Sequence, residues 1–396
     1  MRSKSVTIAL GLAGAASAAV VMAQTTSKPA AAKPDVKTAA TSTSSSSAGK
    51  GWAAPGTPGS PITGELFHAQ VLLDAAGFSP GPIDGKKGQS LDQALRGFQI
   101  GHGLAATGKL DGETRGALLQ GGRPSTVMVR LGPDDVRSQY IYPLPKDPAL
   151  QEKLPFLGYR NMLEKVAERY HTTPDTVIAL NGPTALIGPG QTLRLPNVIP
   201  TSRDYSGVQG EGAKVMNLLN VDARQPQGDY IVVDKSEGVL KVYRGTAPAG
   251  PEGAAGKGDD ESGKPKIVSA PAEPNAAPAG QLVAQFPVTI GSTHDPLPVG
   301  NWKVTTYAFL PPFHYQPNLF WDAKDKATEH MLPAGPNGPV GVAWLDLTKE
   351  HYGIHGTPEP STIGRAESHG CIRMTNWDVM RLARMMKPGF KAVFQA

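Results

Sequence analysis

The chain has one cysteine, Cys371, set in "SHGCIRM" at residues 368–374, and three of its nine histidines, His351, His355 and His369, fall just ahead of it. A thiol with an ordinary pKa near ~8.5 is only a few per cent thiolate at neutral pH, so a cysteine that is to attack carbon needs a base. His355 ends the strand-like "YGIHG", where alternation sets it on the face opposite Ile354. If that strand end meets the "SHGC" loop, the imidazole could take the thiol proton. Gly370 leaves the backbone bare ahead of Cys371, so N–H groups there could hold an oxyanion. Ser368 has a hydroxyl suited to orienting a histidine, the third-group role of a triad. A helix dipole is a weaker source of activation, because the first candidate cap, Asn376, lies beyond the one turn over which a dipole acts.

Three other readings of these residues compete. Cys371 could be a buried core thiol, although Gly, Ser and His flank it. His351, His355, His369 and Cys371 could bind zinc, but an i, i+4 pair shares a face only on a helix, and "KEHYGIHGTP" reads as turn and strand. No metal and no cofactor are therefore expected. Ser368 could be the nucleophile with His369, yet adjacent residues in an extended loop point apart.

The elements that must position this chemistry begin far upstream. Arg2 and Lys4, an apolar run and small residues up to Ala23 have the layout of a secretory signal, 1–23. An exported chain meets oxidising conditions, where structural cysteines come in pairs, and Cys371 has no partner within the chain. The expected location is periplasmic or cell-wall associated, with no membrane span once the signal is cleaved. Residues 24–62 are Ser, Thr, Ala and Pro with little to bury, a flexible linker. The net charge of +5 comes without a basic stripe, so no nucleic-acid partner is expected.

Residues 63–122 read as a small all-α bundle. Thr63 can cap a first helix, Ser90 and Gln93 form a capping box for a second, and a third starts at Asp111. Its "LLDAAGFSPGPIDGKKGQSLDQALRGFQIGHGLAATGKLDGETRGALL" resembles the peptidoglycan-binding module, down to the Pro82–Gly85 turn and the Phe98-Gln99 pair. Residues 123–200 form a small α+β unit, with Asn161 capping one helix and Thr173-Pro174 starting another. "VAERYHTTPDTVIALN" and "IGPGQTLRLP" resemble a lysin motif, with "YIYPLPKDPALQEKLPFLG" in place of the usual opening strand. Residues 201–227 read as a linker. From 228 the chain alternates apolar and polar as strands do, interrupted at 245–280 by an aperiodic stretch expected to be a disordered insertion. A closing helix capped by Asn376 carries Val379, Leu382, Ala383 and Met386 on one face.

With "DPLPVGNWKV" and "IVVDKSEGVLKVYR", the segment "IHGTPEPSTIGRAESHGCIRMTNWDV" resembles the L,D-transpeptidase family over residues 228–396. The resemblance implies a mostly antiparallel β-sandwich with a C-terminal helix and a cysteine acyl-enzyme. Cys371 would attack the third residue of a peptidoglycan tetrapeptide stem and release terminal D-alanine. His355 would be the base, with Ser368 and His369 supporting its orientation and the pocket. Gly370 and Cys371 would supply the oxyanion hole, and Arg373 would meet a substrate carboxylate. The amine of another stem's diamino acid would take the acyl group, forming a 3→3 cross-link. Water as acceptor would instead make a carboxypeptidase or endopeptidase, and an unreactive thiol a wall-binding protein. A long aromatic loop at 308–340, including Tyr315 and Trp321, is expected to shape the substrate groove or a lid.

Overall fold

A computed structural model describes residues 62, 64–208, 210–248, 280–321, 323, 328–366, 368 and 370–396. The expected signal, the linker up to residue 61, Thr63, and residues 249–279 of the expected insertion lie outside the described residues.

Three helices come first: α1 (Gly64–Ala76), α2 (Gln89–Gly101) and α3 (Gly112–Leu119). Asp111 caps α3, accepting from the Thr114 N–H at 2.9 Å. The Ser90–Gln93 capping box does not form, because α2 already begins at Gln89 behind Gly88. Gln93 donates instead to the Glu237 carbonyl, and Gln285 donates to the Gln93 carbonyl at 2.7 Å. Its side chain therefore serves a tertiary contact rather than a local one.

Next, β1 (Thr126–Arg130) pairs antiparallel with β2 (Thr192–Pro196). Between them lie α4 (Pro133–Val136), α5 (Pro148–Gln151), α6 (Met162–Arg169) and α7 (Pro174–Asn181). Asn161 caps α6 and Thr173 caps α7, with Pro174 in the first turn. The opening strand expected to be missing is present as β1. It lies upstream of the Pro-rich stretch, which enters between β1 and α6 rather than replacing the strand.

The segment 201–227 is not a linker throughout. It holds α8 (Glu211–Leu218), whose Val215 and Met216, with Leu219 and Val221 after it, are buried in the core of the β domain. Their apolar surface is what a solvated linker would have to expose.

The β domain comprises β3 (Tyr230–Asp234), β4 (Val239–Arg244), β5 (Gln281–Pro287), β6 (Thr289–Ile290), β7 (Gly300–Phe309), β8 (Phe313–Tyr315), β9 (His330–Leu332), β10 (Ala343–Leu347), β11 (Gly353–His355), β12 (Ile372–Arg373), α9 (Asn376–Met385) and β13 (Lys391–Gln395). Nine strands run in the order β5-β4-β3-β13-β7-β10-β11-β12-β6, with β8 and β9 a separate hairpin. Pairing is antiparallel except at β3–β13 and β11–β12. Two separate sheets are expected of a sandwich, but here β7 joins both halves. Its first residues pair with β13 and its later ones with β10. Both halves face one core, with Val233, Leu240 and Phe286 from one, Leu345, Ile354 and Ile372 from the other, and Trp377 and Leu382 from α9.

Thr375, not Asn376, caps α9, accepting from the Asp378 N–H at 3.2 Å. Asn376 faces inward: Oδ1 accepts from the Val342 N–H at 3.1 Å, and Nδ2 donates to Glu168 at 2.8 Å and to the Pro336 carbonyl at 3.1 Å. The domain does not close on this helix, because β13 follows it into the middle of the sheet.

The helical module is docked on this sheet. Phe78, Leu91, Leu95 and Phe98 share a core with Tyr230, Val232, Tyr243 and Leu282. Gly97 and Gly101, one turn apart, let α2 lie close to β5; a Cβ on Gly97 would stand 2.7 Å from the Gln285 side chain. All three units meet at Asp74. Arg381 reaches its carboxylate at 3.1 Å and His171 Nδ1 at 3.2 Å, and His171 stacks on Trp377 with ring centroids 5.1 Å apart.

Candidate active site

Cys371 stands at the turn into β12, which runs parallel to β11 with Ile372 beside Ile354 and Arg373 beside His355. Alternate residues of a strand share a face, so Cys371, Arg373 and His355 project to the same side. All three line one cleft of about 880 Å³. The thiol donates to the His351 carbonyl at a sulfur–oxygen distance of 3.8 Å and receives the Gly353 N–H. Burial pushes the thiol up to about 11, aided by Asp295 and opposed by the Gly353 N–H and Arg373.

His355 is buried and stacks on Trp344 of β10, its cross-strand partner, with centroids 5.4 Å apart. Its Nδ1 lies 2.7 Å from the Gly356 carbonyl. A carbonyl only accepts, so Nδ1 carries the hydrogen and Nε2 keeps a lone pair. Burial, with the Arg373 charge adding to it, holds His355 down at about 3. The resting pair is therefore a neutral thiol and a neutral imidazole of the tautomer a base requires. Arg373 affects both groups: it favours a thiolate and disfavours an imidazolium.

Ser368 is buried and its hydroxyl donates to the Cys371 carbonyl at 2.7 Å. That bond braces the loop that carries Cys371, where the sequence suggested a bond to a histidine. Gly370 has φ of 96°, and a Cβ there would stand 2.6 Å from Tyr352 Cε1. Backbone and space both require glycine. His369 lies outside the described residues. His351 contributes its carbonyl to the thiol, while its ring is half-exposed.

Tyr315, on β8, and Trp321 line the same cleft, with Trp321 stacked on His294 at a centroid distance of 4.3 Å. Residues 322 and 324–327 of this loop lie outside the described residues. Sequence reasoning missed Trp344, Tyr352, Asp295 and Lys349. Lys349 is buried with Nζ 5.4 Å from the Tyr352 ring centroid. Of these, Trp344 had a signal, since "VGVAWLDL" puts it on a strand, but its partner strand was not readable.

Residues 268–394 match the family model of the L,D-transpeptidase catalytic domain. This part of the chain is an L,D-transpeptidase domain. Residues 64–118 match a candidate peptidoglycan-binding domain. The YkuD protein of Bacillus licheniformis, named as a candidate L,D-transpeptidase, is 38% identical over 109 residues, 28% of this chain and 51% of the relative. YkuD of Bacillus subtilis is 57% identical over 54 residues, 14% of this chain and 33% of the relative. YbiS of Escherichia coli K12, also named as a candidate, is 30% identical over 116 residues, 28% of this chain and 37% of the relative. The matches thus span about half of these relatives or less. Within the L,D-transpeptidase domain, Cys371, His355, Arg373 and Ser368 are the groups that the fold brings to one loop and its neighbouring strand.

Proposed function

We propose that this protein is an exported L,D-transpeptidase that cross-links peptidoglycan through an acyl-enzyme on Cys371. The observation that carries the reading is a lone thiol at the turn into β12 and an Nδ1-protonated imidazole on the adjacent β11, facing one cleft. His355 Nε2 accepts the thiol proton as sulfur attacks the carbonyl of the third residue of a tetrapeptide stem. A carbon–sulfur bond forms, the bond to D-alanine breaks, and the proton on His355 goes to the leaving amine. A side-chain amine of a second stem then attacks the thioester, gives its proton to His355, and thiolate leaves to be reprotonated. The product is a 3→3 cross-link.

A substrate carboxylate on Arg373 assists this sequence. It offsets the positive charge that opposes an imidazolium at His355, so binding prepares the base. His369 is assigned a supporting role in the pocket, and Gly370 and Cys371 the oxyanion N–H groups. The module at 64–118 holds the enzyme on the wall, and the signal-like 1–23 delivers it there. The order β1-α6-α7-β2 supports a lysin-motif-like unit carrying an insertion.

The test is product analysis by mass spectrometry. The chain from residue 24 onward, and its Cys371→Ala variant, are incubated with disaccharide-tetrapeptides. Loss of D-alanine with a new cross-linked dimer, abolished by Cys371→Ala, is the expected result. Tripeptide without dimer would replace the transferase with a hydrolase, and unaltered substrate would remove the enzymatic reading.

A further inference from the structure

The insertion between β1 and α6 has no part in the chemistry above, yet it is fastened to β9 and the residues after it, whose Leu332, Pro339 and Val340 line the cleft. Glu152 accepts from the Met331 N–H at 3.1 Å and pairs with His330 at 2.8 Å, both on β9. The Leu157 N–H donates to the Ala334 carbonyl at 2.8 Å, and the Asn337 N–H to the Leu157 carbonyl at 3.0 Å. These bonds carry Lys146, Pro148 and Gln151 into the lining of the same 880 Å³ cleft as Cys371.

Among the described residues, three permanent cations line the cleft, each engaged differently. Arg373 lies beside the reacting pair. Lys349 is buried over the Tyr352 ring. Lys146 is exposed and, among the described residues, takes part in no ion pair. Its short helix neighbour α5 is held by Asp147 and by Gln151 on the Pro145 carbonyl, so the lysine springs from an ordered base.

We propose that the insertion forms a wall of the substrate cleft and that Lys146 binds a carboxylate of a peptidoglycan stem peptide. This rests on the transpeptidase reading above. Lys146 is a binding residue on a unit outside the transpeptidase domain, so the second unit takes part in selecting the stem. The carboxylate can belong to the donor or to the acceptor stem, and the two arms below distinguish them.

The experiment measures equilibrium binding by calorimetry in the Cys371→Ala chain, which needs no turnover. One arm uses a disaccharide-tetrapeptide with its side-chain amine acetylated, which can act only as donor. The other uses a disaccharide-tripeptide, which can act only as acceptor. Lys146→Ala is expected to weaken one of them roughly tenfold, Lys146→Glu more, and Lys146→Arg little. Amidating the stem carboxylates should erase the difference that Lys146→Ala makes, which a merely structural lysine would not do. Unchanged affinity in both arms for Lys146→Glu overturns the proposal. If binding responds as expected but the Cys371 chain yields no product, the transferase reading fails while the carboxylate site stands. Absence of binding in both arms sinks both.

Discussion

In the proposed mechanism the reactivity of Cys371 waits for substrate. Its thiol donates to the His351 carbonyl, burial pushes its pKa up to about 11, and burial holds His355 down at about 3. The thiolate fraction of the free enzyme therefore grows with pH up to about 11, with no plateau near neutrality. Alkylation by iodoacetamide, followed from about pH 6 to 10, is expected to be slow near neutrality and to rise roughly tenfold per pH unit. A plateau between about pH 6 and 8 would instead reveal a preformed thiolate–imidazolium pair and overturn this assignment. That Cys371 and His355 line one cleft was legible, because thiol chemistry admits few partners. The bond from Ser368 to the Cys371 carbonyl was not, since a hydroxyl type does not say which acceptor it will meet. Nor was Asp295, whose charge acts on the thiol from a loop distant in sequence.

At the scale of elements, local signals predicted starts and stops well where a side chain caps its own helix, as at Asp111, Asn161 and Thr173. They failed where the same residue type is used at long range, as Gln93 and Asn376 show. α1 illustrates the limit further, for its Phe67 and Val71 enter the core of the second unit while Leu72 and Leu73 enter that of the module. A helix clasped on two sides loses the single apolar stripe that sequence periodicity detects. The docking of α2 on β5 depends on small residues. Gly97→Leu should force the helix off the strand, lowering stability by about 1–3 kcal/mol. Hydrogen exchange should quicken in β5, an edge strand that the module otherwise covers. Unchanged protection of β5 would show that the contact is dispensable.

For the whole molecule, the consequence is that the helical module and the L,D-transpeptidase domain are joined rather than tethered. Asp74 of α1, His171 of the second unit and Arg381 of α9 are all buried at one junction. Ser79 adds a bond to Asp378 at 2.7 Å. Removing one member of a buried ion pair leaves the other charge uncompensated, which typically costs about 3–5 kcal/mol. Arg381→Ala is therefore expected to lower the midpoint of denaturant unfolding markedly. The native chain should unfold in one transition sensed alike by the module and the β domain. Two well-separated transitions in the native chain would mean that the units are energetically independent.

What the sequence by itself determined was chemistry and local form. The thiol, its histidine, the glycine before it and the caps of α3, α6 and α7 follow from residue types acting on near neighbours. The tertiary structure alone decided which surfaces meet. Segment 201–227 supplied a core helix, an insertion became the wall of the cleft, and β7 fused two expected sheets into one array. Burial of apolar surface is non-directional, so a pattern of hydrophobic residues states that a face will be covered without naming what covers it.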